Sequence, residues 1–189
     1  MHTSDLKIVF LSGLSECGKS SVGMFLEEKL NFKRIKIIHV EKLLLKDFYK
    51  IDFSQYSKYE LDDLLNEIYN KPNIYNLFLE KLLEIAEGKN ISLESLHRGE
   101  LFKGIKAIHP QTYCFYIEAE KQKRIAREYS KLSKIKQISY DDFLNLFEEK
   151  ENLKFLHKVD KIKDIATHII ANSSTIEELF AQVTKIVKA

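Results

Sequence analysis

Apolar residues along this chain switch repeatedly between two spacings. Ile8-Val9-Phe10-Leu11 is a short continuous run, preceded by Lys7 and followed by Ser12 and a glycine. That is the pattern of a strand buried on both faces. From Lys19 to Leu30, Val22, Met24, Phe25 and Leu30 are separated by charged and small residues, which predicts an amphipathic helix. Phe32 to Val40 carries Phe32, Ile35, Ile37, Ile38 and Val40 and is read as a second strand, with Lys33, Arg34 and Lys36 as charge at its start. A helix-rich region follows from Glu41 to Ala86. Leu43, Leu44, Leu45 and Phe48 open it, and Tyr59–Tyr69 and Ile74–Ile85 continue it across the turn Asn70-Lys71-Pro72-Asn73.

Ile91-Ser92-Leu93 is a weak third strand. Leu101–Ile108 is a helix that stops before Pro110, and Thr112–Ala119 is the strongest strand signal after the first. Glu120–Leu132 and Asp141–Leu156 are helices on either side of a basic, exposed stretch from Lys131 to Ile138, the second with Tyr140, Phe143, Leu144 and Phe147 as its apolar stripe. Thr167–Ala171 is a last strand, and Thr175–Val187 a closing helix for which Ser173 or Ser174 with Glu177 supplies a capping box. Strands alternating with helices from end to end predict an α/β fold, a parallel sheet covered on both faces.

Composition narrows the classes. The 189 residues suit one domain, and 44% hydrophobic residues exclude whole-chain disorder. Lys+Arg 30 against Asp+Glu 28 gives a net charge of +2, and with no long basic stripe this argues against a nucleic-acid partner. No run approaches the ~20 apolar residues of a membrane span, and the N-terminus enters the first strand without a signal peptide, so a cytoplasmic location is expected. Cys17 and Cys114 lack zinc or disulfide spacing. Arginine is scarce, four residues among 30 basic ones, so each position carries information.

The chemistry is concentrated after the first strand. Gly13-Leu14-Ser15-Glu16-Cys17-Gly18-Lys19-Ser20 fits G-x-x-x-x-G-K-[ST]. A chance match occurs in roughly one in several hundred such chains, and the strand before and helix after make it more specific. Two glycines let the backbone curl so that successive N–H groups face phosphate oxygens, and the following helix presents its positive end, through Ser21, to the same anion. Lys19 then reaches the β- and γ-phosphates of ATP and the Ser20 hydroxyl ligates Mg²⁺. Glu16 is unusual so near phosphate and is read as pointing to solvent from the loop crest. Cys17 is read as a small apolar filler.

With this loop, the strand-helix order after it and the closing segment Ile165-Ala166-Thr167-His168-Ile169-Ile170-Ala171-Asn172-Ser173-Ser174-Thr175-Ile176-Glu177-Glu178-Leu179, the chain resembles the nucleoside monophosphate kinase-like group of P-loop kinases. It is similar to dephospho-CoA kinases and adenylate-kinase-related proteins. The resemblance implies a three-layer α/β/α P-loop NTPase with a five-stranded parallel sheet. It divides the single domain into a core (5–40, 89–125 and 157–189), a helical acceptor-binding insertion (41–88) and a small helical lid (about 126–156). It implies an ATP- and Mg²⁺-dependent phosphotransferase acting on a nucleotide or nucleotide-like small molecule. Arg124 and Arg127 match an R-x-x-R on the helix leading to the lid and share one helix face, which suits them to phosphoryl charge.

By the same resemblance Glu94 is the acidic residue after the third strand, a catalytic carboxylate and metal-site residue, and Glu41 and Arg98 bind the acceptor. His97 is read as a loop or cap residue, and Glu100 as a partner of Arg98 or a cap. The sequence departs from the group at Thr167, where an Asp is usual, at Leu43–Leu45, where an acceptor Arg is expected, and at Asp142–Glu151, which lacks the lid Arg. Lys42 or Lys46 and Lys131, Lys134 and Lys136 are candidate replacements. Tyr49, Phe53, Tyr56, Tyr59, Tyr69 and Tyr75 crowd the insertion as a small helical core or, alternatively, a base-stacking pocket. Two rival readings follow, a nucleotide-binding regulatory protein without acceptor chemistry and a nucleic-acid-end kinase. Neither the acceptor's identity nor the oligomeric state is legible.

Overall fold

The structure is a computed structural model and describes residues 5–188. The segment Met1–Ser4, expected to lead directly into the first strand, lies outside them. In chain order the elements are β1 (Ile8–Ser12), α1 (Lys19–Leu30), β2 (Lys33–Lys36), α2 (Ile37–Tyr49), α3 (Lys58–Tyr69), α4 (Ile74–Ala86), β3 (Ile91–Glu94), α5 (Gly99–Ile108), β4 (Thr112–Glu118), α6 (Lys121–Leu132), α7 (Tyr140–Leu156), β5 (His168–Ala171) and α8 (Ile176–Lys188). The five strands form one sheet in the order β2-β3-β1-β4-β5, parallel throughout. β1 is central because its run is apolar on both faces and every residue in it is buried.

Alternate residues of the strands feed two cores. Ile8, Phe10, Ile91, Leu93, Cys114 and Tyr116 face one side and pack with Leu44, Leu45, Phe78 and Leu82 from the helices between β2 and β3. Val9, Leu11, Phe115, Ile117 and Ile170 face the other, against Val22 and Leu26 of α1 and Leu179 and Val183 of α8. The three layers are therefore helix, sheet, helix. On leaving β1 the chain crosses to the β2 side, and after β3 it crosses back to β4. The loop after β1 thus sits at the reversal point, outside the carboxyl ends of the strands, where such sheets bind ligands.

The second strand is shorter than expected. Ile37, Ile38 and Val40 belong to the opening of α2, not to β2. Ile37, Val40, Glu41, Leu44 and Leu45 are its buried positions, a spacing of 3 and 4 that buries one helical stripe. The β-branched residues had suggested extension, and the tertiary stripe overrides that preference. Glu41 consequently stands in the second turn of a helix and not at a strand end. The closing helix is capped by Thr175, whose Oγ1 accepts from the Glu178 N–H at 3.2 Å. Ser174 meets the Glu178 carboxylate. Threonine here and Glu178 in place of Glu177 shift the expected capping pair by one position.

The pair α6–α7 is joined by Tyr129, Phe143 and Phe147, with Tyr129 and Phe143 rings 5.0 Å apart, and by the buried ion pair Arg124–Glu151 at 2.7 Å. Among the described residues no helix is long and apolar enough to cross a membrane.

Because Phe78 of α4 is fully buried in the same cluster as Phe10 of β1, the helices between β2 and β3 and the sheet share one core. Phe78→Ala is expected to cost about 3–5 kcal/mol while leaving a single unfolding transition, with far-ultraviolet and tyrosine near-ultraviolet circular dichroism coincident in urea. Two separated transitions would show that those helices fold apart from the sheet.

Candidate active site

The loop from Gly13 to Ser20 turns through two glycines at φ 131° and 113°, values that a side chain strains against. A Cβ on Gly18 would also collide with the Asn172 amide, and one on Gly13 with the Ile117 carbonyl. Gly18 is the N-cap of α1 and supplies no side-chain cap, so the first-turn amides of α1 point outward for an anion. Lys19 Nζ folds back to donate to the carbonyls of Gly13 (2.8 Å) and Leu14 (2.7 Å), and lies 3.6 Å from Cys17 Sγ. Cys17 itself is buried among apolar side chains, as its reading as a filler requires. Asn172, at the end of β5, donates to the Cys17 carbonyl at 2.7 Å and fixes the loop from the far side.

Glu16 occupies the crest in a left-handed conformation, φ 57°. Its carboxylate does not face open solvent alone: Lys131 of α6 pairs with it at 2.5 Å. Arg127 donates to the Glu16 carbonyl at 3.1 Å and to the Asn172 side chain at 3.3 Å. Arg124, three residues earlier, turns elsewhere. It is only 3% exposed, donates to the Ser15 carbonyl at 3.2 Å and is paired with Glu151 of α7. Both arginines reach the loop, but Arg124 is a buried brace between loop and α7, whereas Arg127 borders open space. Lys134 and Lys136 are exposed, and neither lines the two cavities at the loop.

Below the loop, Glu94 ends β3. The register places it beside Leu11 of β1. It is 2% exposed, and its Oε2 accepts from Ser20 Oγ at 3.4 Å. Its charge is met by Arg34 of β2, Nε to Oε1 at 2.6 Å and Nη2 to Oε2 at 3.3 Å. The hydroxyl and the carboxylate form a hard oxygen donor pair of the kind Mg²⁺ takes alongside water and phosphate oxygens.

On the opposite side, Glu41 is buried and accepts from the Tyr69 hydroxyl at 2.8 Å. Burial raises its carboxyl pKa above the usual range, opposed by the Tyr69 hydrogen bond and the charge of Arg98. Arg98 is held by Asp62 (3.5 Å), Asn66 (2.7 Å) and the Tyr69 ring. Its acidic partner is Asp62, not the expected Glu100. His97 lies over His157, ring centroids 5.9 Å apart. Burial lowers its pKa, partly offset by its contact with the Ser95 carbonyl.

The aromatic residues divide between the two expectations. Tyr49, Phe53, Tyr69 and Tyr75 pack against the core, whereas Tyr59 is 83% exposed. None of these lines the cavities at the loop.

Two cavities meet at the loop. One, about 350 Å³, is bounded by Gly18, Lys19, Ser20, Arg127, Lys131 and Asn172. The other, about 630 Å³, is bounded by Lys36, Glu41, Asp62, His97, Lys150 and Lys154, among others. Glu16, Lys19 and Ser20 belong to both walls. Arg98 opens instead on a third cavity of about 280 Å³, next to His97 and His157.

No family model matches the chain, and no curated protein sequence does. Solved structures do. A shikimate kinase from Aquifex aeolicus is 18% identical with a TM-score of 0.52, and 96% of each chain is covered. A shikimate kinase from Acinetobacter baumannii, in complex with shikimate, is 15% identical with a TM-score of 0.55, covering 98% of this chain and 93% of its own. An uncharacterized protein from Eubacterium ventriosum reaches a TM-score of 0.64 at 11% identity, covering 97% and 99%. The fold is that of the P-loop NTPases.

Arg34, Gly23 and Asn172 take part in the site with no role assigned to them from the sequence, and Tyr69 serves as a hydrogen-bond donor to Glu41 rather than only as one of the insertion's crowded aromatics. For Arg34 the signal was present, since it is one of only four arginines.

A raised carboxyl pKa penalises the ionised form in the folded protein. The stability it forfeits is intact below the usual carboxyl value of about 4.3 and is lost as pH rises through the raised one. Glu41→Gln keeps an acceptor for Tyr69 and removes that penalty. It should melt higher than the parent at pH 7, with the difference closing below about pH 4. Equal melting temperatures at both pH values would contradict the buried, destabilised carboxylate.

Proposed function

We propose that the protein is an ATP- and Mg²⁺-dependent phosphotransferase acting on a small-molecule acceptor. The observation that carries this reading is the pair of cavities sharing Glu16, Lys19 and Ser20. A donor held in one and an acceptor in the other would meet across the phosphate loop, as in-line transfer requires.

In this reading the smaller cavity takes the nucleotide. The amides of Gly13 to Ser21 surround its phosphates, Lys19 exchanges its two carbonyl partners for phosphate oxygens, and Arg127 and Lys131 meet the charge from α6. Ser20 and Glu94 would hold the metal, directly or through water. When bound, Mg²⁺ neutralises the β- and γ-phosphate oxygens. Arg124 supports the step from a distance, by fixing Ser15 and the α7 side of the lid. In the larger cavity Glu41 receives a hydrogen bond from the acceptor, and its burial keeps it directed at a polar group rather than at water. Lys36 and Lys154 favour an acceptor bearing an anionic group, while Lys150 on the same wall is paired with Glu128. A nucleotide-like acceptor, of nucleoside monophosphate or dephospho-CoA type, fits that description. So does shikimate, the ligand of one structural neighbour, which offers a carboxylate and hydroxyls.

A regulatory nucleotide binder is the second reading. It is favoured by Arg98, which is engaged by Asp62, Asn66 and Tyr69 and faces a different cavity from Lys19.

Mg²⁺ with a non-hydrolysable ATP analogue at about 100 times its dissociation constant should stabilise by about 2.7 kcal/mol, a melting shift of about 5–10 °C for a chain of this size. Lys19→Ala should remove that shift and lower turnover by about a hundredfold or more. A further shift from one acceptor on top of the analogue supports the kinase, while a donor shift that no acceptor extends supports the regulatory reading. A full nucleotide shift in Lys19→Ala would overturn the donor site.

A further inference from the structure

Arg34 comes from the short strand at the sheet edge, yet its side chain pairs with Glu94, an acid beside the loop that is only 2% exposed. In the β2–β3 register Arg34 stands opposite Ser92 and Lys36 opposite Glu94. Arg34 and Glu94 are therefore diagonal neighbours on one sheet face, the face that α1 covers. The guanidinium spans the carboxylate like a fork. Nε takes Oε1 at 2.6 Å and Nη2 takes Oε2 at 3.3 Å, and Ser20 Oγ reaches the same Oε2 at 3.4 Å. A planar two-point contact of this kind fixes orientation as well as charge, which a lysine ammonium does not do.

Helix α1 leaves room for the pair only because residue 23 is glycine. A Cβ at Gly23 would overlap Glu94 Oε1 and lie 3.1 Å from Arg34 Nε. A glycine inside a helix costs about 1 kcal/mol relative to alanine. Here it permits close approach of a helix backbone to an ion pair one turn beyond Ser20. Three residues from three elements, β2, β3 and α1, thus converge on the direction in which one carboxylate oxygen points.

We propose that Arg34 is a positioning residue that holds Glu94 with Oε2 turned toward Ser20, and that Gly23 provides the space for that orientation. The assignment rests on the reading in which Ser20 and Glu94 serve the metal. It goes further in saying how the carboxylate is aimed and why a charge this buried is retained. With both oxygens already engaged by the guanidinium, Glu94 acts best as an acceptor for a metal-bound water, the outer partner that orients a coordination shell.

The test is Mn²⁺ affinity, read from the loss of the free-ion electron paramagnetic resonance signal, for the full chain with ADP. ADP affinity without metal is measured in parallel. Outer partners of metal sites are worth 10–100-fold in affinity, so Arg34→Gln should weaken Mn²⁺ binding about tenfold or more while metal-free ADP affinity stays within about twofold. Arg34→Lys should not restore it, because it lacks the fork. Gly23→Ala keeps both charges and should weaken Mn²⁺ binding in the same direction. It serves as the second variant if Arg34→Gln, which strands a buried carboxylate, does not fold.

Unchanged or tighter Mn²⁺ binding in folded Arg34→Gln, or in Gly23→Ala if only that variant folds, would overturn the proposal and leave the pair as a structural link between strands. Glu94→Gln separates the two levels of the argument. If it weakens Mn²⁺ binding while the Arg34 and Gly23 variants do not, the positioning role alone has failed. If it too has no effect, the metal role of Glu94 has failed with it.

Discussion

Lys19 stands at the start of α1, and its side chain folds back over the turn that leaves β1. Its ammonium takes the Gly13 and Leu14 carbonyls, which are left without strand partners because the backbone turns there. The same turn leaves the first amides of α1 unbonded. A segment that supplies free N–H groups, a cation and a hydroxyl at one place is an anion site by construction. Everything nearby is arranged to keep that turn in place. Asn172 takes the Cys17 carbonyl from the β5 side, Arg124 takes the Ser15 carbonyl, and Arg127 takes that of Glu16.

The arginines therefore link the loop to its neighbours through specific contacts, Arg124 to α7 and Arg127 to Asn172 at the end of β5. Arg124 is shared between Ser15 and the buried Glu151 of α7, so the position of α7 is tied to that of the loop. Breaking one member of a buried pair leaves an uncompensated charge, worth about 3–5 kcal/mol, which makes the α6–α7 pair a firm neighbour of the loop in this state. Lys131 and Glu16 add an exposed pair at the crest, which contributes little to stability and is the easier contact for an incoming phosphate to displace.

Strong local signals were legible in the sequence. The phosphate loop follows from the spacing of Gly13, Gly18, Lys19 and Ser20, the alternating strands and helices follow from apolar spacing, and the solved structures share that fold. What is shown is coarser than the resemblance suggested: the kinases reported above as similar structures are shikimate kinases, which share the fold, whereas the sequence pointed to dephospho-CoA and adenylate-type relatives. Ile37, Ile38 and Val40 are β-branched and favour a strand locally, while burial of one helical stripe places them in α2. Arg34 was passed over as charge at a strand start. Its role depends on register against β3 and on the missing Cβ of Gly23, and both are contacts between residues about 60 or more positions apart from Glu94. No local pattern encodes such a convergence. Glu41 was found for its charge and misplaced in its element, and its hydrogen bond from Tyr69 crosses 28 residues.

In the proposed reaction a phosphoryl group passes from one cavity to the other across Lys19 and Ser20. The most direct measurement is phosphorus NMR of Mg²⁺-ATP incubated with the protein and a panel of small hydroxylated and phosphorylated acceptors. The expected result is ADP together with one new phosphorylated species that depends on a single acceptor and disappears in Lys19→Ala. ATP that binds and remains intact with every acceptor, or that yields only inorganic phosphate, would contradict it.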